Sequence, residues 1–233
     1  MPFRVLVIGD PHFKVSNIRE TNLMTERIVA LAEERKPDLI VCLGDILDRH
    51  ESIHVTPLVK ATAFLHRLRK IAPLVAIIGN HDRPNNSTYL TEEHPFAGLK
   101  HWENTTIVDQ GADIRMKGHR FIFVPYVPPG RFLEAIKSFV TDDPEDPDFL
   151  SNVTCVFAHQ EFLGAKMGAI RSEIGDPWPL NYPYVISGHI HDYDQLASNI
   201  LYTGTPIQHA FGYRDDKTVS WVEWPDRVDM EYN

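Results

Sequence analysis

The chain has 233 residues, of which 43% are hydrophobic and 24% charged, and its formal net charge is −9. This length can bury a sizeable core, and this composition excludes wholesale disorder. The acidic balance also argues against a protein that coats DNA without regard to sequence, because such binding needs a surplus of cations to displace the counterions of the phosphates.

The first third of the chain alternates apolar runs with amphipathic stretches. The continuous apolar runs at 3–9, 39–44 and 74–79 predict strands that are buried on both faces. Apolar residues at helical spacing predict helices over 18–35 and 54–71. The resulting β-α-β-α-β order indicates an α/β fold with parallel strands, right-handed crossovers and helices packed on the sheet.

The remainder is richer in predicted strands. Segments 105–109, 112–117 and 119–125 predict a meander, and a helix is expected over 129–140. Further strands are predicted at 153–158, 184–187, 199–204 and 218–224. The acidic, proline-containing segment 142–148 is typical of a solvated loop. Because no repeat or linker interrupts this pattern, we expect residues 1–233 to form a single domain.

The two cysteines and the apolar runs indicate where in the cell the protein is expected. Cys42 and Cys155 lie inside apolar runs and are predicted to be buried free thiols. No apolar stretch approaches the roughly 20 residues that span a bilayer. The chain starts directly with a predicted strand, so we expect no signal peptide, no membrane partner and a cytoplasmic address.

Polar side chains follow the ends of five predicted strands, each directly after a glycine or alanine. They are Asp10 and His12, Asp45 and Asp48, Asn80 with His81 and Asp82, His159, and His189 with His191. Because ligand sites of α/β sheets lie outside the carboxyl ends of the strands, we expect these side chains to converge on one crevice. In an extended segment, Asp10 and His12 would point to the same side, and so would His189 and His191.

The ligand types favour a pair of divalent ions. Two carboxylates, one amide oxygen and four imidazoles suit Mn²⁺, Fe²⁺ or Zn²⁺ better than Ca²⁺. Seven ligands are too many for a single catalytic ion with an open position, but they suit two ions bridged by a carboxylate. The alternative is that Asn80 and Asp82 are turn formers and Asp10 a capping residue. The recurrence of the pattern at five strand ends argues against that alternative.

The ordered set Asp-Pro-His, Gly-Asp-Ile-Leu-Asp, Gly-Asn-His-Asp, Ala-His and Gly-His-Ile-His covers residues 5–191. It resembles the signature of the calcineurin-like metallophosphoesterase superfamily. The resemblance implies a four-layer α/β/β/α sandwich with two mixed central sheets. It also implies the ligand sets: Asp10, His12 and His191 for the first ion, Asp45 as a bridge, and Asn80, His159 and His189 for the second.

The same resemblance implies catalytic roles. His81 would lie beside the scissile phosphate and protonate the leaving oxygen, while a hydroxide held between the ions attacks phosphorus in line. Asp82 would accept a hydrogen bond from His81 and fix its tautomer. Asp48 would orient a metal-bound histidine in the same way, or would cap a turn.

The segment Tyr-Thr-Gly-Thr-Pro at 202–206 indicates a substrate class. It resembles an element of the exonuclease subunits of double-strand-break-repair complexes, which cleave phosphodiesters of DNA, preferably with Mn²⁺. We therefore expect a manganese-dependent phosphodiesterase that acts on DNA or a nucleotide. Few residues follow this segment, so we expect neither the DNA-capping domain nor the helices that bind the coiled-coil ATPase partner, and no other protein partner is implied.

Two alternatives stay open. Asp48-Arg49 also resembles a run of protein phosphatases, so Arg49 would grip the dianion of a phosphomonoester. A non-catalytic scaffold with a structural metal site is the second alternative. His50 and His209 are further candidates for contact with substrate, and Trp178 either stacks a base or covers the core.

Overall fold

The computed structural model describes residues 1–50, 52–168, 170–209 and 217–226, without the side chain of residue 167. Its α-helices are α1 (Ile18–Arg35), α2 (Val55–Leu68) and α3 (Phe132–Phe139). The strands are β1 (Phe3–Ile8), β2 (Leu39–Cys42), β3 (Leu74–Ile77), β4 (Thr105–Val108), β5 (Ala112–Met116), β6 (His119–Val124), β7 (Cys155–His159), β8 (Lys166–Met167), β9 (Ile170–Arg171), β10 (Val185–Gly188), β11 (Asp194–Ala197), β12 (Ile200–Tyr202) and β13 (Ser220–Trp224).

The long strands form two mixed sheets. The first has the order β13-β1-β2-β3-β4, and only β13 runs antiparallel to its neighbour. The second has the order β11-β12-β10-β7-β6-β5, with antiparallel strands at both edges. Strands β8 and β9 form a separate small hairpin. The parallel centre of each sheet directs several carboxyl ends to one edge, where ligands bind in such folds.

Alternation along the strands builds four layers. In β1, Leu6 and Ile8 pack in one cluster with apolar residues of α1 and α2, whereas Val5 and Val7 pack against the second sheet. On the second sheet, Ile122 packs on the side of α3. Because strands buried on both faces need apolar residues at every position, their sequences read as continuous apolar runs. The predicted α/β/β/α sandwich with two mixed sheets is confirmed.

The predicted meander is wrong at its first strand. β4 pairs in parallel with β3 in the first sheet, whereas β5 and β6 form a hairpin in the second. The chain passes between the sheets at Gly111, whose φ is +115°. A Cβ there would lie 2.2 Å from the ring of Phe139, so only glycine fits this crossing. The tight turn expected at Gly118 is present, with φ of +77°.

The structure also settles several single-residue expectations. Cys42 and Cys155 are buried free thiols, as predicted. Trp178 is 8% exposed and packs on Phe132 and Phe162, so it belongs to the core rather than to a base-stacking surface. Within the described ranges, no helix combines the length and apolar character that a membrane crossing needs.

Candidate metal centre

The carboxyl ends of β1, β2 and β3 meet those of β7 and β10 at one edge of the two sheets. Glycines that precede the polar residues allow this close approach. A Cβ on Gly188 would lie 2.4 Å from Asp10 Oδ1, and one on Gly79 would lie 2.2 Å from the backbone nitrogen of Asp45. Any larger residue at these two positions would therefore displace the acids.

Three of the predicted ligands have left-handed backbone conformations. The φ angles of His12, Asp45 and His189 are +44°, +46° and +79°. The extended backbone expected from Asp10 to His12 and from His189 to His191 is therefore wrong, because the chain turns sharply within each pair. Non-glycine residues held in this region cost roughly 1–3 kcal/mol each and cluster at functional sites. The His12 turn is fixed by its N–H, which donates to the Asp45 carbonyl at 3.0 Å.

Asp10, His12 and His191 form the first group of candidate ligands, with one ligand atom of each within 4.8 Å of the others. The Nε2 atoms of His12 and His191 are 3.1 Å apart, and Asp10 Oδ2 lies 3.9 Å from His191 Nε2. The acid and His12 are buried, while His191 is half-buried at the mouth of the site. These are the three residues expected to share an ion.

Asp45, His159 and His189 form the second group. Asn80 joins it, because its Oδ1 lies 2.9 Å from His159 Nε2 and 2.9 Å from His189 Nδ1. His159 is oriented by its Nδ1–H, which donates to the Leu43 carbonyl at 2.8 Å. All four residues predicted for the second ion, the bridging acid included, thus face one point.

Asp45 lies between the two groups. Its Oδ1 is 3.3 Å from His159 Nε2, and its Oδ2 is 3.6 Å from His12 Nε2. The Oδ1 also accepts a hydrogen bond from the His81 backbone N–H at 2.8 Å. One carboxylate therefore presents an oxygen to each group, which is the arrangement that a bridging ligand requires.

The electrostatics of the site fit cations. Burial, reinforced by the neighbouring Asp45, raises the pKa of Asp10 well above its usual range, and Asp10 Oδ1 accepts no hydrogen bond. Burial favours the neutral form of Asp45 as well. The neighbouring imidazoles, His159 above all, outweigh burial and hold the Asp45 pKa well below its usual range. Burial lowers the pKa of His12 far enough to keep the ring neutral, as a metal ligand must be. A buried acid with an unused oxygen beside neutral imidazoles fits a divalent ion.

His81 lies beside the second group without belonging to it. Its Nε2 is 3.9 Å from Asp45 Oδ2, and its side chain is 34% exposed. The ring stacks on His50 at 4.8 Å with an interplanar angle of 15°, and His50 Nδ1–H donates to the Arg83 carbonyl at 3.1 Å. A stacked and partly exposed imidazole beside the ligands can reach a bound phosphoester.

The tautomer-fixing role expected for Asp82 is wrong. Its carboxylate accepts backbone N–H groups of Gly79, Ile46 and Leu47 at 3.1, 3.1 and 2.8 Å. Within the described ranges no hydrogen bond joins it to His81. Burial, aided by the charge of Asp45, raises the pKa of Asp82 to about 8. Asp82 therefore ties the loop after β2 to the loop after β3, and so positions the ligands that the two loops carry.

Asp48 lies where a carboxylate could orient His12. Its Oδ1 is 3.7 Å from His12 Nδ1 and accepts a hydrogen bond from Lys14 Nζ at 3.0 Å. His209 contacts the same region, since its Nε2–H donates to the Asp10 carbonyl at 3.1 Å and its ring centre is 4.7 Å from that of His12. Arg49 is exposed and lines two small pockets rather than the metal cleft.

Two residues at the site, Glu161 and Lys217, are not among those predicted from the sequence. Glu161 is 9% exposed, and its Oε2 lies 3.9 Å from His189 Nε2, on the side of the ring away from Asn80. Its only sequence signal is its place two residues after His159. Lys217 Nζ donates to the His191 carbonyl at 3.2 Å. Nothing in its sequence context indicates this contact, because it depends on how the chain returns to the site.

The chain is similar to known phosphoesterases. Residues 3–193 match the family described as calcineurin-like phosphoesterase. Protein 244L of Invertebrate iridescent virus 6, named as a phosphoesterase without a substrate, is 46% identical over 231 residues, 98% of this chain and 79% of that protein. Protein 078R of Invertebrate iridescent virus 3, named in the same way, is 45% identical over 216 residues, 93% of this chain and 61% of that protein.

Two further proteins are more distant. Phosphodiesterase YaeI of Escherichia coli strain K12 is 32% identical over 125 residues, which cover 53% of this chain and 43% of that protein. The solved structure of purple acid phosphatase PPD1 from yellow lupin seeds covers 83% of this chain with a TM-score of 0.53 and 15% identity. This chain covers 38% of that structure, and the likeness concerns the fold alone.

Proposed function

The chain belongs to the calcineurin-like phosphoesterase family, and we propose that it is a two-metal phosphodiesterase that cleaves P–O bonds of DNA or a nucleotide. The observation that carries the proposal is the position of Asp45 between two groups of candidate ligands, with His81 beside them. Nitrogen and oxygen ligands without thiolate suit manganese, with iron or zinc as alternatives.

We assign Asp10, His12 and His191 to one ion and Asn80, His159 and His189 to the other, with Asp45 shared. When bound, the two ions neutralise phosphate oxygens and supply a water molecule of lowered pKa. The protein orients the ligands through contacts such as His159 Nδ1 to the Leu43 carbonyl. Such second contacts fix the ring nitrogen that faces the ion.

His81 is proposed as the general acid. In hydrolysis, the water oxygen forms a bond to phosphorus, the bond to the leaving oxygen breaks, and that oxygen takes a proton from the His81 ring. The ring is held over the site by its own backbone N–H, which donates to Asp45 Oδ1, and by its stack on His50. Proton transfer from a positioned imidazole contributes typically about 10²–10⁴-fold to rate.

The charges of the cleft support a diester rather than a monoester. The cleft has a volume of about 850 Å³, and among its described lining residues Lys166 is the single lysine or arginine. Glu161 lines it as well and adds negative charge, whereas the lining Asp192 forms an ion pair with Lys217 at 3.5 Å. A monoester dianion brings two negative charges into this cleft, whereas a diester brings one and extends on both sides of phosphorus. The name of the distant relative YaeI, a phosphodiesterase, points the same way.

A phosphomonoesterase is the second candidate. It would need Arg49 to contact the phosphate, and Arg49 is exposed. Its place beside the cleft rather than in it is the reason that we prefer the diester. A non-catalytic scaffold is the third candidate and makes no use of the partly exposed His81. The buried free thiols of Cys42 and Cys155 suit a reducing compartment, so the cytoplasm is the proposed location.

A substrate panel tests the proposal. Bis(p-nitrophenyl) phosphate, p-nitrophenyl phosphate, cyclic nucleotides and single-stranded DNA would each be assayed with Mn²⁺, Mg²⁺ and chelator. We expect Mn²⁺-dependent turnover of diesters, and turnover of monoesters alone would reject the diester assignment. His81→Ala should lower kcat roughly 10²–10⁴-fold and keep its metal content. The exposed His101 gives the control variant His101→Ala, for which we expect unchanged kcat. A His81→Ala protein with full activity would rule out His81 as the general acid, and a wild-type protein that turns over none of these substrates would favour the scaffold.

A further inference from the structure

A small apolar cavity opens beside His81. Its volume is about 310 Å³. Its lining includes the apolar side chains of Leu47, Ile53, Pro84 and Pro95, together with His81 and the two arginines Arg49 and Arg83. We call this cavity the His81 pocket. It is separate from the cleft that holds the candidate ligands, whose described lining does not include Arg49 or Ile53.

His81 is the wall that the pocket shares with the cleft, since its side chain lines both. A general acid must approach the oxygen that departs from phosphorus. In the proposed reaction the leaving oxygen would therefore lie next to His81, with the ligand groups on one side and the pocket on the other. The organic group attached to that oxygen would then face the pocket.

The chemistry of the walls selects that group. Ile53 is an aliphatic side chain that remains 44% exposed, so a ring placed on it would bury apolar surface that is now in water. The guanidinium of Arg49 forms no hydrogen bond or ion pair within the described ranges. A planar cation in the lining of an apolar pocket favours a flat ring, because the guanidinium can lie over the face of the π system.

The volume of the pocket limits the size of the group that it can bind. Sites for small organic ligands usually measure about 300–1,000 Å³, so this one has room for a single ring system and not for a base pair. We propose that the His81 pocket binds one unpaired nucleobase of the leaving nucleoside, and that Arg49 and Ile53 determine this specificity. The proposal rests on the proposed function and narrows its substrate to single-stranded ends or nucleotide diesters.

Matched dinucleotides test the proposal. Thymidylyl-thymidine would be compared with two analogues, each of which has one base replaced by hydrogen. The reacting phosphodiester and its hydroxyl groups stay the same, and product analysis identifies the nucleoside that leaves without phosphate. We expect loss of the leaving base to lower kcat/KM roughly 5–150-fold, the range for one lost base stack, and loss of the other base to lower it less.

Two variants locate the effect. Ile53→Trp would fill the pocket, and Arg49→Ala would remove one of the two guanidinium groups that line it. Each variant should lose most of the preference for the leaving base. Val59 is 58% exposed on α2 and does not line the pocket, so Val59→Trp is the matched control and should keep the preference.

The outcomes separate the two proposals. Turnover of all three dinucleotides at equal kcat/KM would overturn the pocket assignment and leave the phosphodiesterase intact. A base preference that persists unchanged in both Ile53→Trp and Arg49→Ala would also overturn it. Absence of metal-dependent turnover with every diester would overturn the proposed function, and the pocket assignment with it.

Discussion

Two buried groups of charged side chains differ in how their charges are balanced. Near the start of β6, Arg120 is about 1% exposed and donates to Asp113 through Nε at 3.0 Å and through Nη2 at 2.7 Å. Its Nη1 donates to Asp142 and to the Phe149 carbonyl. Every charge in this group has a protein partner, so we call Arg120, Asp113 and Asp142 the balanced group.

The acids at the carboxyl ends of the strands have no lysine or arginine as a partner within the described ranges, and we call them the unbalanced group. Asp10, Asp45 and Asp82 are buried, and within the described ranges no lysine or arginine forms an ion pair with any of them. Their neighbours are imidazoles whose pKa values burial lowers, as for His12. Burial of charge is common to both groups, and only the missing positive charge marks one of them as a site for cations.

The largest expected effect comes from Asp45→Asn. The amide keeps the shape and the acceptor for the His81 N–H, but it removes the charge that both ligand groups face. We expect metal-dependent kcat/KM to fall more than about 10³-fold, beyond the roughly 10–100-fold that loss of an outer partner costs. Metal content by mass spectrometry and diester hydrolysis measure the effect.

Asp113→Asn is the control for Asp45→Asn, because it removes an equally buried acid from the balanced group. It should keep both metal content and turnover. Equal losses in the two variants would contradict the distinction between the groups.

Arg120→Met tests the balanced group. It leaves Asp113 buried without its partner, and breaking a buried pair in this way costs about 3–5 kcal/mol. The free energy of unfolding, measured with urea, should fall by that amount, while the metal affinity of the folded protein stays that of the wild type. The double variant Arg120→Met with Asp113→Asn should recover part of the loss, and failure to recover any would show that packing rather than charge is responsible.

Glu161→Gln tests how far the unbalanced group extends. The carboxylate faces His189 Nε2, the nitrogen opposite the one beside Asn80, and its pKa is lowered by that contact. We expect metal affinity, measured by calorimetry, to fall roughly 10–100-fold, as for other carboxylates behind metal-binding histidines. Glu173 is exposed in the same segment, and Glu173→Gln should bind metal as the wild type does.

Much of the fold could be predicted because its signals are local. The helix predicted over 18–35 is α1 at the same bounds, since apolar residues at helical spacing define its buried face. The placement of β4 could not be predicted. Residues 105–109 can pair in a meander or with β3, and only tertiary contacts decide between them.

The sequence was sufficient to predict which residues form the candidate site, but not how their backbone and side chains are arranged. Asp45 and the histidines follow buried strands, so their convergence follows from sheet topology. The left-handed turns at His12 and His189 depend on contacts with distant loops. The position of Asp82 also depends on contacts between loops, because its three backbone hydrogen-bond donors come from two loops. Glu161 was missed because it does not directly follow a small residue at the end of a strand.

The smallest expected effect is a pH dependence within the balanced group. Burial favours the neutral form of Asp113, but its hydrogen bonds with Arg120 and Thr141 outweigh burial and hold the Asp113 pKa below its usual value. The unfolded chain therefore binds a proton at higher pH than the folded protein does. The stabilising contribution is complete above the unfolded pKa of about 3.9 and is lost as pH falls through the folded pKa.

Urea unfolding between pH 3 and pH 6, with chelator present, measures this contribution. The wild-type free energy of unfolding should fall more steeply at the acid end than that of Asp113→Asn, which has no proton to gain there. Asp148 is exposed in the neighbouring acidic loop, so Asp148→Asn should follow the wild-type curve. If Asp113→Asn followed it too, the Arg120 group would be stabilised by its packing and hydrogen bonds alone, and charge balance would not be what distinguishes it from the metal centre.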